Sequence, residues 1–245
     1  MDVKERVAAL QPELVRLRRH FHEKPERSWE EFQTQKAIES YLDALGIPYV
    51  ESCKSGVIAT LKGPHASDRI IGIRADIDAL PIQEADLTKT YASQNPGVMH
   101  ACGHDCHISM LLTAVMIANS IRDEIPGTIK FIFQPAEEVA LGALDMMADG
   151  VLDGVDGMFG MHVWSELPAG QVSLEAGGRM AATDQFEITI TGKSGHAALP
   201  HKCVDATPCM AATIMDLQTV VSRQVNPVSP LVLTVGKVTS GTRWN

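Results

Sequence analysis

The stretch Arg69–Pro81, RIIGIRADIDALP, joins a short apolar run to a pair of aspartates and a proline. An apolar run of this length, bounded by polar and turn residues, is typical of a buried strand. Two further runs share the pattern, TIKFIFQ at residues 128–134 and GMFGMHVW at residues 157–164. The three segments therefore predict strands of a central sheet.

Helical patterns lie before and between these predicted strands. Apolar residues recur at helical spacing over residues 107–121, and two N-terminal helices are predicted over residues 3–22 and 29–45. Ser28, with Glu31 three residues later, forms the pattern of a capping box at the start of the second helix. Strands that alternate with helices at this spacing predict an α/β fold with a largely parallel sheet.

The pattern changes after the glycine pair at residues 177–178. Residues 184–201 and 230–242 alternate apolar and polar side chains, which predicts half-exposed antiparallel strands, and a helix is predicted between them over residues 204–221. We expect the sheet of this second unit to be incomplete within these residues. The sequence therefore predicts two domains, residues 1–179 and residues 180–245.

Composition excludes several classes of function. A net charge of −9 argues against binding to nucleic acid or to an anionic membrane, because such binding needs clustered Lys and Arg. No export signal and no apolar window of about 18 residues is present, so no membrane span is expected. The five cysteines are odd in number and irregularly spaced, which predicts free thiols in a reducing compartment, by default the cytoplasm.

Polar segments stand where the predicted strands end. In open α/β sheets, ligands bind beyond the carboxyl ends of the strands. Four segments fall there: RADID at 74–78, MHACGHDCH at 99–107, QPAEE at 134–138 and MHVW at 161–164. Their convergence predicts one functional site along this edge of the sheet.

Cys102 and His104 are candidate metal ligands. In an extended segment, residues i and i+2 point the same way, so both side chains can face one ion. Thiolate and imidazole suit Zn²⁺ and neighbouring transition metals. The alternative is a buried cysteine beside a surface histidine. A zinc finger fits poorly because no second ligand pair follows at finger spacing. A thioredoxin-like CxxC motif is absent because three residues, not two, separate Cys102 from Cys106.

Glu137, Glu138 and His162 are the second set of candidates. One carboxylate could bind a metal while its neighbour takes a proton from the attacking water. A solvated glutamate pair and a structural histidine are the alternatives. Asp76 and Asp78 share a face, and either could hold the second nitrogen of a ligating histidine or simply solvate the loop before Pro81. The residues alone do not choose between these aspartates.

Five motifs, taken together and in order, resemble the M20-type metallopeptidases: RADIDALPIQE, MHACGHDCH, FQPAEE, GMHVW and GKSGHAALPH. The closer resemblance is to their amidohydrolase branch, which includes N-acyl-amino-acid amidohydrolases and hippurate hydrolases. The N-terminal RRHFHEKPERSWEE is similar to a motif of the same branch. The resemblance implies a zinc-peptidase-like α/β catalytic domain within residues 1–179 and an inserted α+β lid and dimerisation domain within residues 180–245.

The resemblance also implies roles for individual residues. It implies two divalent ions (Zn²⁺, Mn²⁺, Ni²⁺ or Co²⁺) and a bridging thiolate, with the ligands Cys102, His104, Glu138 and His162. Glu137 matches the general base, Asp76 an aspartate that orients a ligand, and His196 a residue that contacts the substrate's oxyanion or carboxylate. The implied enzyme is a homodimeric hydrolase of the amide bond in N-acyl amino acids, a small-molecule substrate.

The sequence departs from the family pattern at several points. Cys106 and Cys203 stand where the branch more often has glycine, and Arg74 replaces a histidine ligand of the wider superfamily. Cys106 is either a spare ligand or a small buried residue. The family's last histidine ligand has no counterpart here, so we expect this chain to be poorly active. The alternative functions are a non-catalytic metal- or amino-acid-binding module and an interaction protein that uses the lid's dimer surface.

Overall fold

The computed structural model describes residues 2–65, 67–178 and 180–243. Internal contacts divide the chain into two units, Met1–Val172 and Ser173–Asn245. The predicted domain boundary falls between residues 179 and 180, and residue 179 lies outside the described residues. The two domain ranges therefore stay a prediction.

The first unit alternates helices and strands along the chain. In chain order, its elements are α1 (Val3–Glu23), α2 (Phe32–Leu45), β1 (Tyr49–Ser52), β2 (Gly56–Lys62), β3 (Ile70–Asp76), α3 (His104–Ser120), a 3₁₀ turn (Arg122–Glu124), β4 (Thr128–Gln134), α4 (Gly142–Ala148) and β5 (Gly157–Gly160). The predicted α/β class is confirmed. The three predicted strands correspond to β3, β4 and β5, whereas β1, β2 and α4 were not predicted.

The five strands form one sheet in the order β1-β2-β4-β3-β5. Strand β3 pairs in parallel with β4 and β5, while β2 pairs antiparallel with β1 and β4. The sheet is mixed rather than largely parallel because a short turn joins β1 to β2, and only antiparallel strands can be joined by so short a connection. Its parallel part, β4-β3-β5, has all its carboxyl ends at one edge.

The main core lies on one face of this sheet. The register sets Val57 opposite Phe133 and Ala59 opposite Phe131 on β2 and β4, and Ala75 of β3 lies on the other side of Phe133. These side chains pack against buried residues of three helices, namely Leu17, Phe21, Ile38, Leu42, Ile108, Leu112 and Val115. A smaller cluster on the opposite face contains Ile58, Ile132, Met146 and Val151. Helices thus cover both faces of the sheet and hold its strand ends in place.

The capping box predicted at Ser28 and Glu31 is wrong. Helix α2 begins at Phe32, and two amides of its first turn, those of Gln33 and Thr34, donate to the Glu26 carboxylate. The Glu31 carboxylate is fully buried and accepts hydrogen bonds from Ser55 Oγ at 2.6 Å and from the Ala136 amide at 2.8 Å. Ser28 Oγ donates to Asp78 Oδ2 at 2.7 Å. Both side chains therefore serve tertiary contacts, which outweigh the local cap.

The described part of the second unit contains one long helix, α5 (Ala206–Thr219), preceded by a 3₁₀ turn (Pro200–Lys202) and followed by a π-helical turn (Val220–Gln224). The predicted helix over 204–221 is confirmed. The antiparallel strands predicted over 184–201 and 230–242 are wrong for the described residues of this unit, where only an isolated bridge joins Lys193 and Val204. An alternating pattern becomes a strand only where a neighbouring backbone pairs with it.

Within the described residues, no helix is both long and apolar enough to cross a membrane. All five cysteines are free thiols.

Candidate metal centre

Four chain segments meet at the carboxyl ends of the parallel strands. Residues 77–81 continue from β3, residues 135–141 follow β4, residues 161–164 follow β5, and α3 begins there at His104. Three groups of potential ligand atoms lie at this edge, each with all its atoms within 4.8 Å of one another: Cys102–His104–His162, His104–Glu137–Glu138 and Asp76–His104–His107. His104 belongs to all three groups and therefore forms the centre of the site.

Gly103 brings Cys102 and His104 to the same side. Its backbone is left-handed, with φ at 90° and ψ at 17°, and α3 starts at the next residue. A Cβ at this position would lie 2.5 Å from Val163 Cγ2, so both the backbone conformation and the close approach require glycine. The predicted extended segment is therefore wrong, because a turn rather than strand alternation directs the two side chains to one site.

Backbone carbonyls orient the rings of His104 and His162. Nδ1 of His104 lies 2.8 Å from the Asp78 carbonyl oxygen, and Nδ1 of His162 lies 2.6 Å from the Val163 carbonyl oxygen. A carbonyl only accepts hydrogen bonds, so the proton of each neutral ring sits on Nδ1. The Nε2 lone pairs then face the site, where His162 Nε2 is 3.3 Å from Cys102 Sγ. This is the arrangement that metal-ligating histidines adopt.

His104 Nε2 and Glu138 Oε1 are buried, and neither has a hydrogen-bond partner among the described residues. They are 3.7 Å apart, which is too long for a hydrogen bond. Two ligand atoms that are each about 2.1 Å from one zinc-sized ion lie roughly 3.4 Å apart. Because unsatisfied buried polar atoms are costly, a cation between them would stabilise the site. The nitrogen, sulfur and oxygen atoms present suit a first-row divalent metal.

The charges around Cys102 agree with a cation site. Burial, together with the negative charge of Glu138, raises the pKa of the Cys102 thiol to about 12. Burial also raises the pKa of Glu138. A divalent cation would reverse both effects by favouring the thiolate and the carboxylate. The residues present therefore fit a metal ion chemically as well as geometrically.

Asp76 and Asp78 hold different histidines. Asp78 Oδ1 lies 3.3 Å from His104 Nδ1, and Asp78 Oδ2 accepts a hydrogen bond from the Glu138 amide at 3.0 Å. Asp76 Oδ1 lies 2.5 Å from His107 Nδ1. Asp78 thus contacts the ring at the centre of the site. Asp76 Oδ2 lies 3.5 Å from His104 Nε2. The role of Asp76 as the orienting carboxylate stays a prediction.

The pKa of Asp76 reflects its ionic partners. Burial alone would raise this pKa, but the hydrogen bond from His107 and the nearby Arg74 guanidinium lower it to about 2. Arg74 Nη1 lies 2.8 Å from Asp76 Oδ2. The arginine that departs from the superfamily pattern therefore forms an ion pair beside the site.

His107 is a site residue that the sequence reasoning missed. Its Nε2 accepts a hydrogen bond from the Val163 amide at 3.0 Å, so its Nδ1 carries the proton and donates to Asp76. With both ring nitrogens engaged, His107 connects the end of β3 to the segment after β5. Its spacing of three residues from His104 was the available signal, since such residues share a helix face.

Cys106 and His196 lie outside the three ligand groups found in the described part of the chain. Cys106 is a half-buried thiol in the first turn of α3, and burial raises its pKa. His196 belongs to the second unit, where its Nδ1 accepts the Ala198 amide at 3.1 Å. The role predicted for His196 stays a prediction.

A buried ionic network supports the first turn of α3. Asp105, the neighbour of His104, has its Oδ2 2.7 Å from His22 Nδ1 and 2.9 Å from Arg18 Nε. The other nitrogen of His22 lies 3.3 Å from Glu84 Oε1. Helix α1 is thereby tied to the helix that supplies the central histidine.

We expect the His22→Gln substitution to destabilise the first unit more at pH 6 than at pH 8.5. The hydrogen bond to Asp105 is the main cause of a raised His22 pKa, which outweighs the opposing effect of burial. Because the folded chain binds this proton more tightly, the stabilisation is complete below the unfolded pKa of about 6.5 and is lost as pH rises through the folded pKa. The expected cost at pH 6 is about 1.5–3 kcal/mol.

The measurement is urea denaturation in EDTA at both pH values. His65→Gln is the control, because His65 is exposed and its Nε2 lies 2.9 Å from a backbone carbonyl, that of Asp123, rather than from a carboxylate. An equal loss of stability at pH 6 and pH 8.5 in the His22 variant would show that the ring acts by packing, not by charge.

Sequence comparison finds both a family and curated relatives. The model described as peptidase family M20/M25/M40 matches residues 72–238. An N-acyl-L-amino acid amidohydrolase of Geobacillus stearothermophilus is 44% identical over 246 residues, a match that covers 100% of this chain and 66% of the relative. Across the first three curated relatives, the chain spans 61–66% of their length.

Structural comparison finds similar folds. A Bacillus subtilis structure described as a dinuclear metal binding peptidase from the M20 family is 45% identical, with a TM-score of 0.63 and coverage of 66% of this chain and 45% of that one. A structure from methicillin-resistant Staphylococcus aureus is 33% identical, with a TM-score of 0.79 and coverage of 98% of this chain and 64% of that one. The likeness extends over both described units.

Proposed function

The chain belongs to peptidase family M20/M25/M40, and from that membership we propose that it acts as a metal-dependent amidohydrolase on N-acyl amino acids. The family predicted from the motifs is confirmed. The proposal rests on His104 Nε2 and Glu138 Oε1, two buried atoms without a hydrogen-bond partner in the described part of the chain, which lie beside the half-exposed carboxylate of Glu137. The name of the Geobacillus stearothermophilus relative supports the substrate class.

The proposed site holds two divalent ions, chosen from Zn²⁺, Mn²⁺, Ni²⁺ and Co²⁺. Its proposed ligands are Cys102, His104, Glu138 and His162, which would together hold the ions. The dinuclear Bacillus subtilis relative supports the number of ions, and the mixed ligand set suits each of these metals. Bound ions would supply a water of lowered pKa and a polarised amide carbonyl.

Glu137 is the proposed general base. Its Oε2 lies 3.8 Å from His104 Nε2, and 40% of its side chain is exposed, compared with 19% for Glu138. The two neighbouring carboxylates thus have different environments, which suits different tasks. In the proposed reaction, Glu137 takes a proton from the attacking water and delivers it to the leaving amine nitrogen. The products are a carboxylic acid and a free amino acid.

Other proposed features come from the family resemblance. Asp76 would orient a ligand, and His196 would stabilise the oxyanion of the substrate. Residues 180–245 would form a lid and the surface of a homodimer, whereas residues 1–179 would carry the chemistry. A cytoplasmic location is proposed because the five free thiols suit a reducing compartment.

We expect the chain, which the sequence predicts to be poorly active, to release amino acid slowly but measurably from N-acetyl or N-benzoyl amino acids when it is loaded with Zn²⁺, Mn²⁺ or Co²⁺. The free amine is measured by derivatisation and chromatography, and EDTA should lower the rate to the level of the protein-free control, because removal of the ions removes the activated water. Bound metal without amine release would instead favour a non-catalytic metal-binding module. A chain that neither binds metal nor releases amine would contradict both functions.

A further inference from the structure

Hydrogen bonds to the backbone of Ala136 hold the loop that carries Glu137 and Glu138 in place. Ala136 is fully buried and has a left-handed φ of 50°, although it is not glycine. Its carbonyl oxygen accepts the Gly142 amide at 3.2 Å and the Leu141 amide at 3.4 Å, which closes the loop. A non-glycine residue persists in this conformation only where its surroundings hold it there.

Glu31 provides the contact on the other side of Ala136. The Ala136 amide donates to Glu31 Oε1 at 2.8 Å, and Ser55 Oγ donates to Glu31 Oε2 at 2.6 Å. The carboxylate is 0% exposed, and burial raises its pKa. One buried side chain therefore connects the start of α2, the start of β2 and the glutamate loop, across 105 positions of sequence.

Residues 28–31 are also linked to a second amide of the glutamate loop, that of Glu138, through Asp78. Ser28 Oγ donates to Asp78 Oδ2, and that oxygen also accepts the Glu138 amide. The backbone is thus fixed immediately before Glu137 and immediately after it. Two fixed amides leave the intervening glutamate little freedom to move relative to His104.

We propose that Glu31 is a positioning residue, whose carboxylate fixes Ala136 and thereby places Glu137 and Glu138 beside His104. The inference rests on the proposed function for the roles of the two glutamates. Glu31 is bonded to the loop at the Ala136 amide, so its effect is transmitted through that amide. The competing explanation is that Glu31 stabilises the fold without setting the geometry of the site.

Three variants of the chain separate these explanations. Glu31→Ala removes the carboxylate that accepts from Ala136 and Ser55. Glu31→Gln keeps an oxygen for the Ala136 amide, and its NH₂ group can donate to the Ser55 hydroxyl, which is able to accept. Leu42→Ala is the control for stability, because Leu42 is equally buried in α2 but belongs to the main core.

The first measurement is Co²⁺ affinity, followed by the absorbance of the bound ion. We expect Glu31→Ala to weaken binding about 10–100-fold, the usual effect of removing a residue that supports a ligand. Glu31→Gln should restore affinity close to that of the unsubstituted chain. Leu42→Ala should bind Co²⁺ normally in its folded fraction. Equal affinities for Glu31→Ala and the unsubstituted chain, or an equal loss in Leu42→Ala, would overturn the proposal.

The second measurement is amide hydrogen exchange over residues 135–142 without metal. Exchange should accelerate in this segment for Glu31→Ala but not for Glu31→Gln, while β3 and β4 keep their protection. For Leu42→Ala, we expect exchange to accelerate uniformly across the sheet. The same result for Glu31→Ala would mean that Glu31 stabilises the fold without positioning the loop. If the unsubstituted chain binds no Co²⁺, the proposed function fails, and the exchange result still decides whether Glu31 positions the loop.

Discussion

Replacing His104 by alanine is expected to weaken the binding of divalent ions by about 100-fold or more. Of the residues that the structure describes, His104 is common to all three groups of potential ligand atoms, and its buried Nε2 has no hydrogen-bond partner among them. Loss of this ring would remove one ligand atom from each of the three groups. Equilibrium dialysis with Zn²⁺ or Co²⁺ measures both the affinity and the number of ions bound.

Two further variants make this result interpretable. His65→Ala removes an exposed histidine and should leave ion binding unchanged. Because His104 is fully buried, Cys102→Ser provides a milder test at a half-buried position, and the thiolate-to-cobalt absorption band should disappear in that variant. Tight, thiolate-coordinated cobalt in the His104 variant would mean that the ligand set proposed here is wrong.

Replacing Glu137 by glutamine is expected to slow hydrolysis by about 10²–10⁴-fold while the bound ions remain. Glutamine has nearly the same shape, but its amide cannot take a proton from water at neutral pH. Since Glu137 is half-exposed, the substitution should leave the fold intact. Amine release is measured relative to the unsubstituted chain, with ion content determined on the same samples.

The control for this prediction is Glu51→Gln, on an exposed position of β1. It removes the same charge at a site far along the sequence from the glutamate loop, and hydrolysis should continue at the original rate. Loss of ions together with activity in the Glu137 variant would make Glu137 a ligand. An unchanged rate of hydrolysis would show that Glu137 is not the general base.

The fold was predictable where the sequence contains long, apolar runs. Strand β4 has the predicted bounds, 128–134, because its apolar residues are continuous and flanked by polar ones. Strand β1 was missed because its four residues, YVES, carry no such run. The strands expected in the second unit show the opposite error, since alternation indicates which side chains share a face but not which backbone will pair with them.

The site was predictable in its residue types and their placement at strand ends. Its supporting contacts were not, because they join residues that are distant in sequence. The hydrogen bond from Ala136 to Glu31 spans 105 positions, and the contact of His107 with Asp76 spans 31. Ser28 and Glu31 match a capping box locally, and only the folded chain shows that Asp78 and Ala136 are their partners.

The register of β3 against β4 limits how this scaffold can be re-engineered. Asp76 ends β3 opposite Gln134, two residues before Asp78, so the pairing of the strands fixes the direction of both aspartates. Deleting a single residue within β3 would turn them to the opposite face, whereas exchanging side chains would not. Libraries that seek altered substrate preference should therefore diversify the loops after β4 and β5 and keep every strand at its native length.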